Sequence, residues 1–159
     1  MNPPTAPILR PATNADQENV RALVFAVLDE YEIDPAPKTT DRDLYDIEDY
    51  YRGGSFDVLV SEPDGIIGTV GVAALSPSTC ELRKMYLRPK YRGRGHGARL
   101  LKHAIGRAQS LGFSRMELNT KRIMEEAIGL YAKFGFRPMD GKPVDARCDQ
   151  TLALDLKKT

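Results

Sequence analysis

The chain has 159 residues, enough for one domain and too few for two. With 42% hydrophobic and 28% charged residues it can build a core, which excludes a disordered tail. Its 23 basic and 22 acidic residues leave a formal charge of +1, a poor surplus for gripping duplex phosphates.

The N-terminus, MNPPTAPILR, has no apolar core of signal-peptide length. ILRPAT (8–13) reads as a short opening strand. Thr13 with Asp16 three residues on resembles a capping box, and Val20, Leu23, Val24, Val27, Leu28 and Tyr31 follow at helical spacing. Pro35 and Pro37 stop that helix, and DRDLYDIEDYY (41–51) predicts a second, short one. After Gly53-Gly54 the pattern becomes strand-like. FDVLVSEP (56–63) and the run from Ile66 to Leu75 form a hairpin about Pro63-Asp64-Gly65, and TCELRKMYL (79–87) is a third antiparallel strand. The apolar run IIGTVGVAAL is broken by glycine and too short to span a bilayer. From Ala98 the period turns helical, with Leu101, Ala104, Ile105, Ala108 and Leu111 on one face and Gly112 as the stop. RMELNT (115–120) is a strand, EEAIGLYAKFG (125–135) a helix, and FRP (136–138) and QTLALDL (150–156) are two closing strands. That order predicts one domain over 1–159 with a mixed sheet and helices on both faces.

Cys80 and Cys148 are too few for a disulfide framework and, with only His96 and His103, lack metal-ligand spacing. A reduced, cytoplasmic protein without metal or membrane segment is the expectation.

The informative stretch is LRPKYRGRGHGARLL (87–101): a strand, a glycine-rich turn and a helix N-terminus. The first turn of a helix has unpaired N–H groups and about half a positive charge, and glycine lets an anion approach the backbone. Donors would run from Gly93 to Ala98, with Arg92, Arg94 and Arg99 beside them. A plain turn with exposed arginines remains the alternative. The run lacks the spacing of GxGxxG and the Gly-Lys-Ser/Thr of a Walker loop. Two Arg-Gly units fused to an amphipathic helix do not make an RNA-binding tract, so no nucleic-acid partner is expected.

Arg92-Gly-Arg-Gly95-His-Gly97 resembles the R/Q-x-x-G-x-G/A signature of the GNAT superfamily of acetyl-CoA-dependent N-acetyltransferases. AIGLYAKFGF (127–136) is similar to the family's A-x-x-L-Y-x-x-x-G-F helix, and the likeness covers residues 8 to 157. The resemblance implies an α+β fold, an α/β/α sandwich. Its mixed, mostly antiparallel sheet would have six to seven strands and about four helices on both faces. The strands at 81–87 and 115–120 would form a splayed parallel pair holding the pantetheine of acetyl-CoA. By position, the Met85 N–H would hold the acetyl carbonyl oxygen, with Tyr86 and Leu87 along the pantetheine arm. Arg92, Gly93, Arg94, Gly95, His96, Gly97 and Ala98 would hold the diphosphate, and Asn119 and Lys133 would complete the cofactor site. Many family members have Asn where this chain has Met124; Asn119 is a candidate substitute or an ordinary strand-end residue.

Tyr131 matches the family tyrosine and would protonate the leaving thiolate, although Ala127, Leu130, Tyr131 and Phe134 also read as an ordinary core face. Glu81 falls where some members place a catalytic glutamate. Strand alternation puts it with Arg83, Met85 and Leu87 on one face, about 13 Å of backbone from Met85, so a water relay is expected. A strand-end carboxylate paired with Arg83 is the alternative. Residues 29–50 carry nine acids and two bases, while 83–107 carry nine bases and no acid. The basic block would face CoA phosphates; the acidic block would border a cationic acceptor or merely be a solvated face. The acceptor is expected to be a small-molecule or peptide amine, with a non-catalytic acyl-CoA-binding module as the competing class and a homodimer left open.

Overall fold

The computed structural model describes residues 6–140 and 148–156, so the outer ends of the expected 1–159 domain lie outside the described residues. Its strands are β1 (Ile8–Pro11), β2 (Ser55–Ser61), β3 (Gly65–Ala74), β4 (Thr79–Leu87), β5 (Arg115–Thr120), β6 (Arg137–Pro138) and β7 (Gln150–Asp155). They form one seven-stranded sheet in the order β1-β2-β3-β4-β5-β7-β6, antiparallel except where β4 runs parallel to β5. The helices are α1 (Gln17–Glu30), α2 (Ile47–Tyr50), α3 (His96–Ser110) and α4 (Glu125–Lys133). None among the described residues is long and apolar enough to cross a membrane.

Each face of the sheet has its own core. Val20, Leu23, Val24, Val27 and Leu28 of α1 pack with Ile47, Phe56 and Val58 on one side. Leu100, Leu101, Ala104 and Ala108 of α3 pack with Ile67, Val70, Leu82 and Tyr131 on the other. Complete burial of such side chains stabilises each by about 1.5–3 kcal/mol, which fixes the sheet between its helices.

The N-terminal capping box forms as read: the Thr13 hydroxyl accepts from Ala15 N–H at 3.3 Å and Asp16 accepts from Thr13 N–H at 2.9 Å. Two boundaries differ. The segment 41–51 is not one helix: a 3-10 turn over Arg42–Tyr45 and a single α turn are separated at Asp46, whose extended backbone (φ −158°) lets its side chain accept from Asp49 N–H. Helix α3 begins at His96, two residues early, because Gly95 at φ +87° turns the chain into the helix at once.

Candidate active site

Strands β4 and β5 pair only from Thr79–Arg115 to Glu81–Glu117 and then part. The gap opens into a cavity of about 550 Å³. Its walls are the far half of β4, the end of β5, α4 and the start of α3. Among the described residues, β5 pairs with β4 no further than Glu81, and the strand edge beyond suits an extended amide-bearing ligand.

At one end lies the glycine turn. Gly93 (φ +75°) and Gly95 (φ +87°) both take left-handed backbone, and a side chain added to either would meet nothing within 4 Å. The cradle is thus open. The helical ladder starts with Arg99 N–H on Gly95 O at 3.1 Å, so the amides just before it lie in the unpaired first turn. Gly93, Gly95, Gly97 and Ala98 line the cavity, whereas Arg94 and His96 do not. Those two side chains turn to Tyr91 instead, the guanidinium 5.8 Å and the imidazole 6.2 Å from its ring centre. Burial, helped by Arg99 and Arg94, lowers the His96 pKa, so His96 brings no charge to the cradle at neutral pH.

Tyr131 lines the same cavity. It is buried, its ring edge-on to Phe136 at 5.7 Å, and its hydroxyl makes no hydrogen bond among the described residues. Burial first, and Tyr86 second, push its pKa well above the ordinary phenol value, so it keeps its proton at neutral pH. Glu81 stands where the two strands begin to part. Its Oε1 accepts from Arg83 Nη1 at 2.9 Å and its Oε2 from Asn119 Nδ2 at 3.0 Å. Thr151 Oγ1 in turn donates to Asn119 Oδ1 at 2.7 Å, which fixes which end of the amide faces Glu81. Met85, Tyr86, Leu87, Arg92 and Lys133 also line the cavity.

The pattern of the Acetyltransferase (GNAT) family matches residues 22–136. This chain belongs to the GNAT acetyltransferase family. The uncharacterized N-acetyltransferase YjgM of Escherichia coli is 32% identical to it over 143 residues, covering 86% of each chain. An acetyltransferase of the GNAT family from Staphylococcus aureus has the same fold, with a TM-score of 0.88 at 22% identity over 96% of this chain and 100% of that one. A GNAT superfamily phosphinothricin acetyltransferase from Sinorhizobium meliloti, solved in complex with acetyl-CoA, gives 0.74 at 21% identity over 96% and 89%.

Within this GNAT domain three sequence expectations need correction. Simple alternation along β4 fails. Lys84 sits at φ +53° in a bulge where Lys84 and Met85 together oppose Val70, the register passing from Gly71–Arg83 to Thr69–Tyr86. The bulge moves Met85 and Leu87 to the α3 core, while Glu81 and Arg83 stay on the opposite face. Arg92 does not present a free guanidinium to the cradle: it forks onto Glu30 at 2.9 Å through both terminal nitrogens and donates Nε to Leu87 O at 3.1 Å. Arg99 likewise donates to Pro7 O.

Third, the acidic block is not a free border. Asp41 and Asp43 are buried at 0% and 1% exposure and pair with Lys84 Nζ at 3.2 Å each. Asp43 Oδ2 also accepts from the Tyr51 hydroxyl at 2.5 Å, and Glu30 is held by Arg92. Sequence reading missed Lys84 and Thr40, although adjacent charges in mid-strand, Arg83 and Lys84, opposite an acidic loop were the available signal. Met124 lines the cavity and precedes α4 without a side-chain cap, while Asn119 lines the same cavity and donates to Glu81.

Proposed function

We propose that this GNAT protein transfers an acetyl group from acetyl-CoA to a primary amine by direct attack. The supporting observation is the cavity that joins an open glycine cradle, the β4 edge beyond its pairing with β5, a proton-bearing phenol and a positioned carboxylate. The acetyl-CoA seen with the Sinorhizobium meliloti relative supports the same co-substrate here. Residues Gly93–Ala98 take the diphosphate through backbone N–H groups and the α3 dipole, with the Arg94 guanidinium near by. Met85, Tyr86 and Leu87 lie along the pantetheine arm, and Lys133 sits at the α4 side.

An alkyl ammonium of pKa about 10.4 is neutral only about once in 2,500 molecules at pH 7, a deficit near 4.6 kcal/mol. Glu81 removes that proton through a water, its two oxygens already oriented by Arg83 and Asn119. The Met85 N–H stabilises the oxyanion formed as nitrogen adds to the thioester carbon. Tyr131 then protonates the departing thiolate and is reprotonated by the proton the added nitrogen loses as the amide forms, and its ring packing keeps the hydroxyl in place. Only two cysteines, too few for a disulfide framework, support a reducing, cytoplasmic setting.

The test is thiol release from acetyl-CoA against a panel of amines, amino acids and peptides. Release with at least one amine is expected; binding of CoA with no release for any of them would instead identify a non-catalytic acyl-CoA-binding module.

A further inference from the structure

We propose that Thr69, Lys84, Asp41 and Asp43 are positioning residues that aim the Met85 N–H into the gap between β4 and β5. The proposal rests on the reading of Met85 as the oxyanion donor. Its basis is the geometry of one peptide unit. The Lys84 carbonyl and the Met85 N–H belong to the same planar group, and in a trans peptide they point in opposite directions. Thr69 of β3 is fully buried, and its hydroxyl donates to Lys84 O at 2.7 Å. Holding that oxygen toward β3 sends the Met85 N–H away from β3, toward the side where β5 has parted from β4.

The conformation that allows this is not one lysine adopts freely. At φ +53° Lys84 is a non-glycine residue in left-handed backbone, which persists only where the surroundings over-determine it. Its side chain supplies the second hold. The ammonium donates to Thr40 O at 3.0 Å and forms ion pairs with Asp41 Oδ1 and Asp43 Oδ1 at 3.2 Å each. The acids are themselves fixed, Asp41 by Ala36 N–H at 2.8 Å and Asp43 by the Tyr51 hydroxyl. Thr40 O also receives Arg83 Nη2 at 2.7 Å, so the acidic strap is fastened to the bulge on both sides of the Arg83–Lys84 peptide. A cluster this buried has no role in solubility. Lys84 and Thr40 also line the cavity, so the cluster holds the bulge where β4 forms part of that wall.

The test reads the donor directly. Isotope-edited infrared spectra of acetyl-CoA labelled at the thioester carbonyl are recorded free and bound to the protein. Bound to wild type, the carbonyl band should move to lower frequency. In Thr69→Val, which keeps the shape and removes the hydroxyl, the band should return toward the free position. Thiol release should fall about tenfold to a hundredfold, while calorimetric affinity for CoA stays within about twofold of wild type. Thr69→Ser should restore both. Should Thr69→Val fail to fold, the triple variant Asp41→Asn, Asp43→Asn, Lys84→Met replaces the ion cluster without leaving an unpaired buried charge, and the same loss of band shift is expected. A wild-type band in either variant overturns the positioning role alone. An unshifted band in wild type with CoA bound overturns the Met85 reading, and this proposal with it.

Discussion

Replacing Tyr131 with phenylalanine isolates one proton. The ring sits in the α3-side core at 7% exposure and meets Phe136 edge-on at 5.7 Å, contacts that phenylalanine keeps. The hydroxyl makes no hydrogen bond among the described residues, so its removal leaves no donor or acceptor behind. Stability should therefore change by less than about 1 kcal/mol, or about 2–4 °C in Tm. Turnover should not be spared. A positioned general acid is worth about a hundred- to ten-thousandfold. A thiol of pKa about 8.5 is an undemanding leaving group, which places the expected loss near a hundredfold, about 2.7 kcal/mol in the barrier. The assay is thiol release from acetyl-CoA with an accepting amine, beside calorimetry of CoA binding. Unchanged turnover would remove Tyr131 from the chemistry. A large fall in Tm with proportional loss of folded protein would assign it to the core instead.

Three further outcomes are expected. Glu81→Gln keeps the side chain's size but cannot take a proton and can accept from only one of Arg83 and Asn119, so kcat/KM should fall by about a hundredfold and the acidic limb of its pH profile should disappear; a surviving limb would give the base role to another group. Gly95→Ala meets no neighbour but must hold φ +87°, at a cost of about 1–2 kcal/mol, so CoA affinity should weaken roughly tenfold by calorimetry; equal affinity would mean that the cradle does not need this turn. Burial raises the Cys80 thiol from 9.0 to about 12. A native pKa above the unfolded one means stability is complete below about pH 9 and declines as pH rises toward 12. Urea midpoints should fall above pH 9, less steeply in Cys80→Ala; identical slopes would show that this thiol is not the cause.

Much of the fold was readable because its signals are local. The Thr13–Asp16 box, the Pro63-Asp64-Gly65 turn and the apolar faces of α1 and α3 each depend on neighbours within a few residues. The glycine cradle was readable for the same reason, since φ +75° and +87° at Gly93 and Gly95 are backbone states that glycine advertises. Lys84 hid the bulge: nothing in a lysine announces left-handed backbone, and the contacts that hold it come from Asp41, Asp43 and Thr69, far along the chain. Charge counting failed for a related reason. Nine acids in 29–50 look like a surface, yet Asp41 and Asp43 are buried beneath it and Glu30 faces Arg92, a pairing across 62 positions. The Thr151–Asn119–Glu81 chain joins three strands and has no linear signature.

The whole account depends on backbone amides at Gly93–Ala98 capturing a diphosphate, and the most direct test is calorimetry of the wild-type protein with CoA and, separately, with pantetheine, which also lacks the 3′-phosphoadenosine. Saturable heat with CoA and binding weaker by about a hundredfold or more with pantetheine, which lacks the diphosphate, is the expected result. No heat with CoA, or equal affinity for the two, would contradict it.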